Sequence, residues 1–260
     1  YNNDVTNILN YHNPEDRAKA EAELKTLGKI KVPSRSSYFG IVDLAGFKKD
    51  RFFLYQARWR PDLPMAHLLP HWNWAGREGE ITPVHVYTSG DEAELFLNGR
   101  SLGRKTKGKF EYRLRWDDVK YAPGELKVVA YKEGKPWATD TVKTTGPAAK
   151  LLAVADRTAI HADGRDLSFV TVIVADVAGL MVPRSHPKLA FTVTGPGELV
   201  ATDNGDATDH TSFSSTERKA FNGLALAIVR LKPGAAGPFT VRVSSDGLAP
   251  AEVVLTSLSR

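Results

Sequence analysis

The stretch Pro33–Trp59, PSRSSYFGIVDLAGFKKDRFFLYQARW, changes its hydrophobic period halfway along. Ser37, Tyr38, Phe39, Ile41 and Val42 form a strand-like run, whereas Phe52, Phe53, Tyr55, Gln56 and Trp59 recur at spacings of three and four. This predicts a strand over Tyr38–Val42, a turn at Asp43 or at Ala45-Gly46, and an amphipathic helix ending near Trp59. A single βα unit cannot bury both of its faces, because a parallel strand needs parallel neighbours. No second unit of this kind follows, so the expectation is that residues 1–76 are the end of a larger α/β domain that begins upstream.

Upstream of that stretch, NPEDRAKAEAELKTLG reads as a helix. Asn13 is its N-cap, Pro14 its first residue, and Gly28 its stop. Downstream, RPDLPMAHLLPHWNWAGREG is rich in proline and predicts a stiff, extended connector. Trp72 and Trp74, two residues apart, would face the same way on such a chain, as a wedge between domains or as a sugar-stacking platform.

From Ile81 onward the pattern is β. VHVYT alternates, GDEAELFLNGRSLG turns at Asn98-Gly99, FEYRLRW alternates, and ELKVVAYKEGKPWATDTVKT turns at Glu133-Gly134. These runs predict a small immunoglobulin-like sandwich over 77–146. Seven further runs separated by Gly, Pro and Asp turns predict a second immunoglobulin-like sandwich over 147–260: LLAVADRTAI, DLSFVTVIVAD, KLAFTVTG, GELVATDNGD, GLALAIVRLK, PFTVRVSS and APAEVVLTSL. The expected fold class is therefore mainly β, with two sandwiches after a βα piece. At roughly 25 cal/mol per Å2 of apolar surface buried, each sandwich can sustain its own core, and the leading segment cannot.

Composition narrows the chemistry. The 260 residues include no cysteine, which excludes disulfides and thiolate metal sites. No apolar run is long enough to span a bilayer, and YNNDVTN lacks the features of a signal peptide. The net charge of +5 comes from interleaved charges rather than a basic stripe. Arg100, Arg104, Lys105, Lys107 and Lys109 surround a hairpin without interleaved aromatics and read as a solvated sheet edge, so no nucleic-acid partner is expected. The histidines form neither HxH nor HExxH, and GxSxG and Gly-rich phosphate loops are absent. Asp117-Asp118 and Glu92-Glu94 read as solvated hairpin faces. Asp203, Asn204, Asp206, Asp209 and His210 crowd one loop, but their spacing departs from the EF-hand pattern. That loop, with Arg218 and Phe221, is expected to be pinned against a neighbouring domain; neither a metal nor a cofactor is expected.

Taken in order, SSYFGIVDLAGFKKDRFFLYQARWRPD, HLLPHWNW, VHVYTSGDEAELFLNGRSLG, DNGDATDH and ERKAFNGLA resemble the C-terminal portion of a glycoside hydrolase family 2 enzyme of the β-galactosidase type. The resemblance covers nearly the whole chain. It implies a (β/α)8 catalytic barrel followed by β-sandwich domains, with residues 1 to about 60 as the last piece of that barrel. It also implies retaining, exo-acting hydrolysis of a β-linked carbohydrate by two glutamates. Both would precede Tyr1, so no catalytic residue is assigned, and the upstream barrel becomes the expected partner. The resemblance places Arg35, Ser36, Ser37 and Phe39 at the floor of the terminal-sugar subsite, with barrel-core packing as the other reading of Phe39. Family galactosidases often carry Asn where Phe39 stands, which leaves the sugar open. The resemblance further implies a periplasmic or secreted location. A non-catalytic carbohydrate-binding or scaffold module is the alternative, with Trp72, Trp74, Trp116 and Trp137 as candidate platforms.

Overall fold

The computed structural model describes residues 34–258. The expected helix after Asn13 and the Asn-rich opening lie outside these residues. The described chain is mainly β: sixteen strands and one helix, α1 (Asp50–Trp59).

Lys49 enters α1 in an extended conformation, Asp50 lies in its first turn and Arg58 in its last, each sign matched to the helix dipole. The Arg60 N–H closes the helix on Gln56 O, and Pro61 follows. Phe53 stacks on His67 with ring centroids 3.9 Å apart, and His67 Nε2 lies 2.8 Å from Asp50 Oδ1. None of the helix residues is buried, and Trp59 is 68% exposed beside Tyr55.

The strand expected over Tyr38–Val42 does not form. Residues 38–40 turn, and pairing is confined to one bridge, Val42 to Lys48. The alternating apolar pattern is present, but among the described residues no neighbouring strand offers its hydrogen-bonding edge. The segment instead closes on itself, with Asp43 N–H donating to Phe47 O and Lys49 N–H to Ile41 O.

Two sheets come next. One has the order β1-β2-β5, with β1 (Ala66–Leu69), β2 (Val84–Thr88) and β5 (Leu114–Trp116). The other has the order β4-β3-β6-β7, with β3 (Glu92–Leu97), β4 (Arg100–Thr106), β6 (Glu125–Lys132) and β7 (Lys135–Lys143). Alternation decides the packing: Ala93 and Leu95 of β3 and Leu126, Val128 and Ala130 of β6 point inward, meeting Val84, Val86, Leu114 and Trp116. Both anticipated hairpin turns form with both central residues at positive φ, 50° and 80° at Asn98-Gly99 and 52° and 75° at Glu133-Gly134. Arg100, Arg104 and Lys105 of the basic cluster lie on the edge strand β4, where Arg104 pairs with Glu92 and lies 3.6 Å over the Tyr131 ring; Lys107, just past the strand and half-buried, donates to Thr88 O at 2.9 Å.

The proline-rich segment expected to be a connector contributes β1 to the first of these sheets, paired with β2 from Ala66–Thr88 to Leu69–His85. Trp72, 1% exposed, enters the same core and donates from Nε1 to Ala122 O at 2.9 Å. Trp74 packs at the margin of that core, stacked on His71.

The remaining strands are β8 (Lys150–Ala155), β9 (Ala159–Ile160), β10 (Ser168–Ala175), β11 (Lys188–Thr194), β12 (Gly197–Asp203), β13 (Glu217–Lys219), β14 (Leu224–Leu231), β15 (Phe239–Ser245) and β16 (Leu248–Ser257). Their order is β12-β14-β10-β8-β16-β15-β11-β13, with β9 beside β16. The β8–β16 junction is parallel and has one pair, Ala249 to Lys150, whereas the ladders on either side are antiparallel. The sheet folds over there. Val170, Val172, Ala227 and Val229 from one half and Leu189, Phe191, Val241 and Leu255 from the other share one core. All seven anticipated runs carry strands; the short β13 was not anticipated. Asp176 Oδ2 accepts the Gly146 N–H at 2.9 Å, tying the second unit to the third.

Candidate functional site

Three residues, Asn204, Asp209 and Arg218, freeze the polar loop that follows β12. The side chain of Arg218, on the short strand β13, is wholly buried. Its guanidinium donates to Thr202 O (2.6 Å), Ser212 O (2.8 Å), Thr211 O (3.1 Å) and Asp209 Oδ2 (3.1 Å). A buried arginine is tolerable only when its donors are met, and loop carbonyls meet them here. Asn204 Nδ2 donates to Asp209 Oδ2 (2.8 Å) and to Lys219 O (2.9 Å). The loop's remaining carboxylates bend its backbone: Asp203 Oδ1 accepts from Asn204 and Gly205 N–H, and Asp206 Oδ1 from Thr208 N–H and Oγ1. Burial pushes the Asp209 carboxyl up, but hydrogen bonds from Thr211 and Arg218 outweigh it and hold the group below its ordinary 3.8. Among the described residues no group of three or more His, Asp or Glu side chains is placed to hold a metal ion.

This loop meets the leading segment directly. The Arg35 N–H donates to Ala207 O at 2.8 Å, and its guanidinium lies 4.9 Å over the Phe213 ring. Gly205, at φ +80°, approaches Asp43 so closely that a Cβ there would stand 2.1 Å from Asp43 Oδ2. Asp43 Oδ1 accepts the Phe47 N–H at 2.9 Å. Burial raises the Asp43 carboxyl, and the Asp203 carboxylate adds to this, against the N–H groups of Phe47 and Ala45 and the charge of Lys49.

Two cavities flank the strip 204–207. Asn204 and Asp206 line a cleft of about 580 Å3 on the third unit, bordered by His186, Lys188, Ser215, Glu217, Lys219 and Phe221. Gly205 and Ala207 line a second cavity of about 380 Å3, with Ser36, Ser37, Tyr38 and Asp43 on its far side. Alternate residues of the strip thus face opposite cavities, and Phe221 borders both.

Of the residues placed at a sugar subsite, Ser36 and Ser37 share the second cavity. Arg35 is turned onto Phe213, and Phe39 is 61% exposed with Arg51 5.9 Å from its ring. Asp203, Asn204, Asp206 and Arg218 gather in the loop just described, while Trp72 and Trp74 lie in and beside the core of the second unit. Trp116 is buried there too, and Trp137 donates to Ser89 Oγ at 2.8 Å. The carboxylates of Glu92, Glu94 and Asp117 are engaged by Arg104, Ser101 and Arg115 on the hairpin surfaces. Arg35, Asp43, Gly205 and Ala207 carry the contact between segment and loop; the sequence had placed Arg35 at a sugar subsite and Asp43 at a turn, and neither reading anticipated the contact, because a lone Asp and a Gly in a turn leave no signal of a partner distant in sequence.

Comparison with known proteins places this arrangement. Residues 151–254 match the family model described as glycoside hydrolase family 2 C-terminal domain 5, and residues 79–138 match a domain of unknown function, DUF4982. Beta-galactosidase BoGH2A of Bacteroides ovatus is 41% identical over 225 residues, which cover 86% of this chain and 26% of that protein. A beta-glucuronidase of Formosa agariphila is 30% identical over 159 residues, 60% of this chain and 16% of that protein. The crystal structure of a beta-glycosidase from Bacteroides vulgatus superposes with a TM-score of 0.82 at 32% identity, covering 86% of this chain and 28% of that one. The family model that matches describes a C-terminal domain, and the superposition extends the similarity in fold over most of the chain. The chain belongs to glycoside hydrolase family 2. It spans about a quarter or less of the length of these curated relatives.

Proposed function

We propose that this chain is the C-terminal part of a retaining, exo-acting β-glycosidase, completing a (β/α)8 barrel with its leading segment and bracing it with two immunoglobulin-like sandwiches. The observation that carries this reading is how the leading segment is held. On one side α1 rests on β1 through Phe53 and His67; on another, residues 35–43 are gripped by the loop at Gly205 and Ala207. Tyr38, Phe39, Val42, Leu44, Tyr55 and Trp59 are nevertheless exposed, too much apolar surface for a segment with no core of its own. A barrel supplied by the upstream polypeptide would cover it.

In this reading the catalytic glutamates lie upstream, and the chain contributes Ser36 and Ser37 to the wall of a sugar-binding cavity. Hydroxyls of this kind donate to and accept from the hydroxyls of a β-linked sugar. Both β-galactosides and β-glucuronides are candidate substrates, since relatives carry both names. The enzyme would act in the periplasm or outside the cell.

The purified chain is expected to leave chromogenic β-galactosides and β-glucuronides intact, and turnover is expected once the upstream polypeptide is co-expressed with it. Hydrolysis by the pure chain would overturn the reading. The alternative of a module binding sugar through its tryptophans is weakened by the burial of Trp72 and Trp116.

A further inference from the structure

The larger cleft, on the third unit, is separated from Ser36 and Ser37 by the strip 204–207 and has no part in the proposed hydrolysis. We propose that it is a second saccharide-binding site, taking a neutral hexopyranose unit of a β-linked glycan. The choice of glycans as ligand class rests on the glycosidase reading; the cleft and its chemistry do not.

Volume comes first: about 580 Å3 lies within the range of small-molecule sites, roughly 300–1,000 Å3. Charge comes second. The cleft is bordered by cations and anions that largely cancel within it. Arg218 is paired with Asp209, and Lys188 with Glu217 at 2.7 Å, which leaves one lysine, Lys219, and one carboxylate, Asp206. A net anion or cation gains little from such a wall, whereas a polyol needs both donors and acceptors. Those are supplied by the Lys219 ammonium, the Asp206 carboxylate, and the Ser215 hydroxyl, which accepts the Glu217 N–H and keeps its own proton to donate. His186 stands over Ala220 O through Nδ1, leaving Nε2 for a ligand.

The apolar requirement of a pyranose, whose C–H groups form one face of the ring, is met by Phe221. Its ring lies 5.8 Å from that of His186. Preorganisation comes last. Asn204, Asp209 and Arg218 lock the back wall through hydrogen bonds within the loop, so a ligand would not have to order it. The polar groups at the mouth are solvated before binding, which sets the expected dissociation constant near the millimolar end, about 1 mM.

The test is an NMR titration of the 15N-labelled 260-residue chain with methyl β-D-galactopyranoside, methyl β-D-glucopyranoside and methyl β-D-glucuronide. Saturable shifts are expected at the amides of Asp206, Lys219 and Phe221 with either neutral glycoside. Lys219→Ala, which shortens an exposed side chain and leaves the backbone bonds of β13 in place, is expected to weaken binding by about five-fold, as is Phe221→Leu, which keeps an apolar side chain without the ring. Absence of shifts at those amides up to the solubility of the sugars would overturn the proposal. So would tighter binding of the glucuronide than of either neutral glycoside, or neutral binding that both variants leave intact. Hydrolysis by the co-expressed enzyme without binding at the cleft would sink this inference alone, and binding without hydrolysis would sink the glycosidase reading alone.

Discussion

Replacing Arg218 by Met should unlock the loop after β12 while leaving a side chain of similar length in the core. The change deletes every guanidinium bond, takes the donor from the carbonyls of Thr202, Thr211 and Ser212, and leaves the Asp209 carboxylate without its cation. Breaking a buried ion pair from one side costs about 3–5 kcal/mol, and each stranded buried acceptor about 1–3 kcal/mol. The costs do not simply add. Thr211 and Ser212 are exposed, so water can replace the lost donors there, and Asp209 keeps its bonds from Asn204 and Thr211. Thr202 O has no such relief, because Thr202 is buried. The expected loss is therefore about 3–5 kcal/mol for the third unit, read from urea unfolding of the chain with and without the substitution. Arg218→Lys keeps the charge but offers one nitrogen in place of three, and should fall between. In a double variant with Asp209→Asn, which removes the stranded charge, part of the loss should return. A loss below about 1 kcal/mol for Arg218→Met would refute the reasoning, since it would mean that water serves the buried carbonyl as well as the guanidinium does.

Three further outcomes follow from the same contacts. Gly205→Ala should cost about 1–2 kcal/mol from its positive φ alone and more from the clash with Asp43; adding Asp43→Ala should recover only the clash, as a denaturant double-mutant cycle would reveal, and full additivity would remove Asp43 from the contact. Asp43→Asn keeps the acceptor for the Phe47 N–H but not the half-buried charge. Because the folded carboxyl is raised above 3.8, wild-type Asp43 is best tolerated below that pH and becomes a liability as pH rises through its raised range. The variant's advantage in thermal unfolding should thus be present at neutral pH and vanish in acid, and an equal effect at both would exclude ionisation as the cause. Trp72→Ala should destabilise the second unit by about 3–5 kcal/mol, monitored by far-UV circular dichroism in urea; a loss under about 1 kcal/mol would show that the indole is not a core anchor.

Most strands were legible because their information is local. Asn98-Gly99 and Glu133-Gly134 announce positive φ, and the alternation in β3 and β6 announces which side is buried. The strand β1 was hidden because Met65-Ala66-His67-Leu68-Leu69 does not alternate and sits between Pro64 and Pro70, so proline's stiffness masked a short pairing segment. The strand β13 was hidden because a buried arginine looks like a surface residue until its acceptors are known. The run at Tyr38–Val42 failed in the opposite direction: its period suits a strand, but a strand is a property of two segments, and the chain described here supplies no partner. At the loop, the density of Asp and Asn was plain in the sequence. What it does became plain only in three dimensions, where those side chains bend the backbone and hold Arg218 rather than converge on an ion.

The close approach of Gly205 to Asp43 sets a rule for recombination between family members. A chimera that receives its third unit from a relative will seat that unit on the leading segment without a clash if the donor brings glycine at this place, or if the recipient offers a smaller residue than aspartate opposite it. Compatibility of the transplanted parts then turns on a glycine needed twice over, for its positive φ and for the space that its missing methyl group leaves to Asp43.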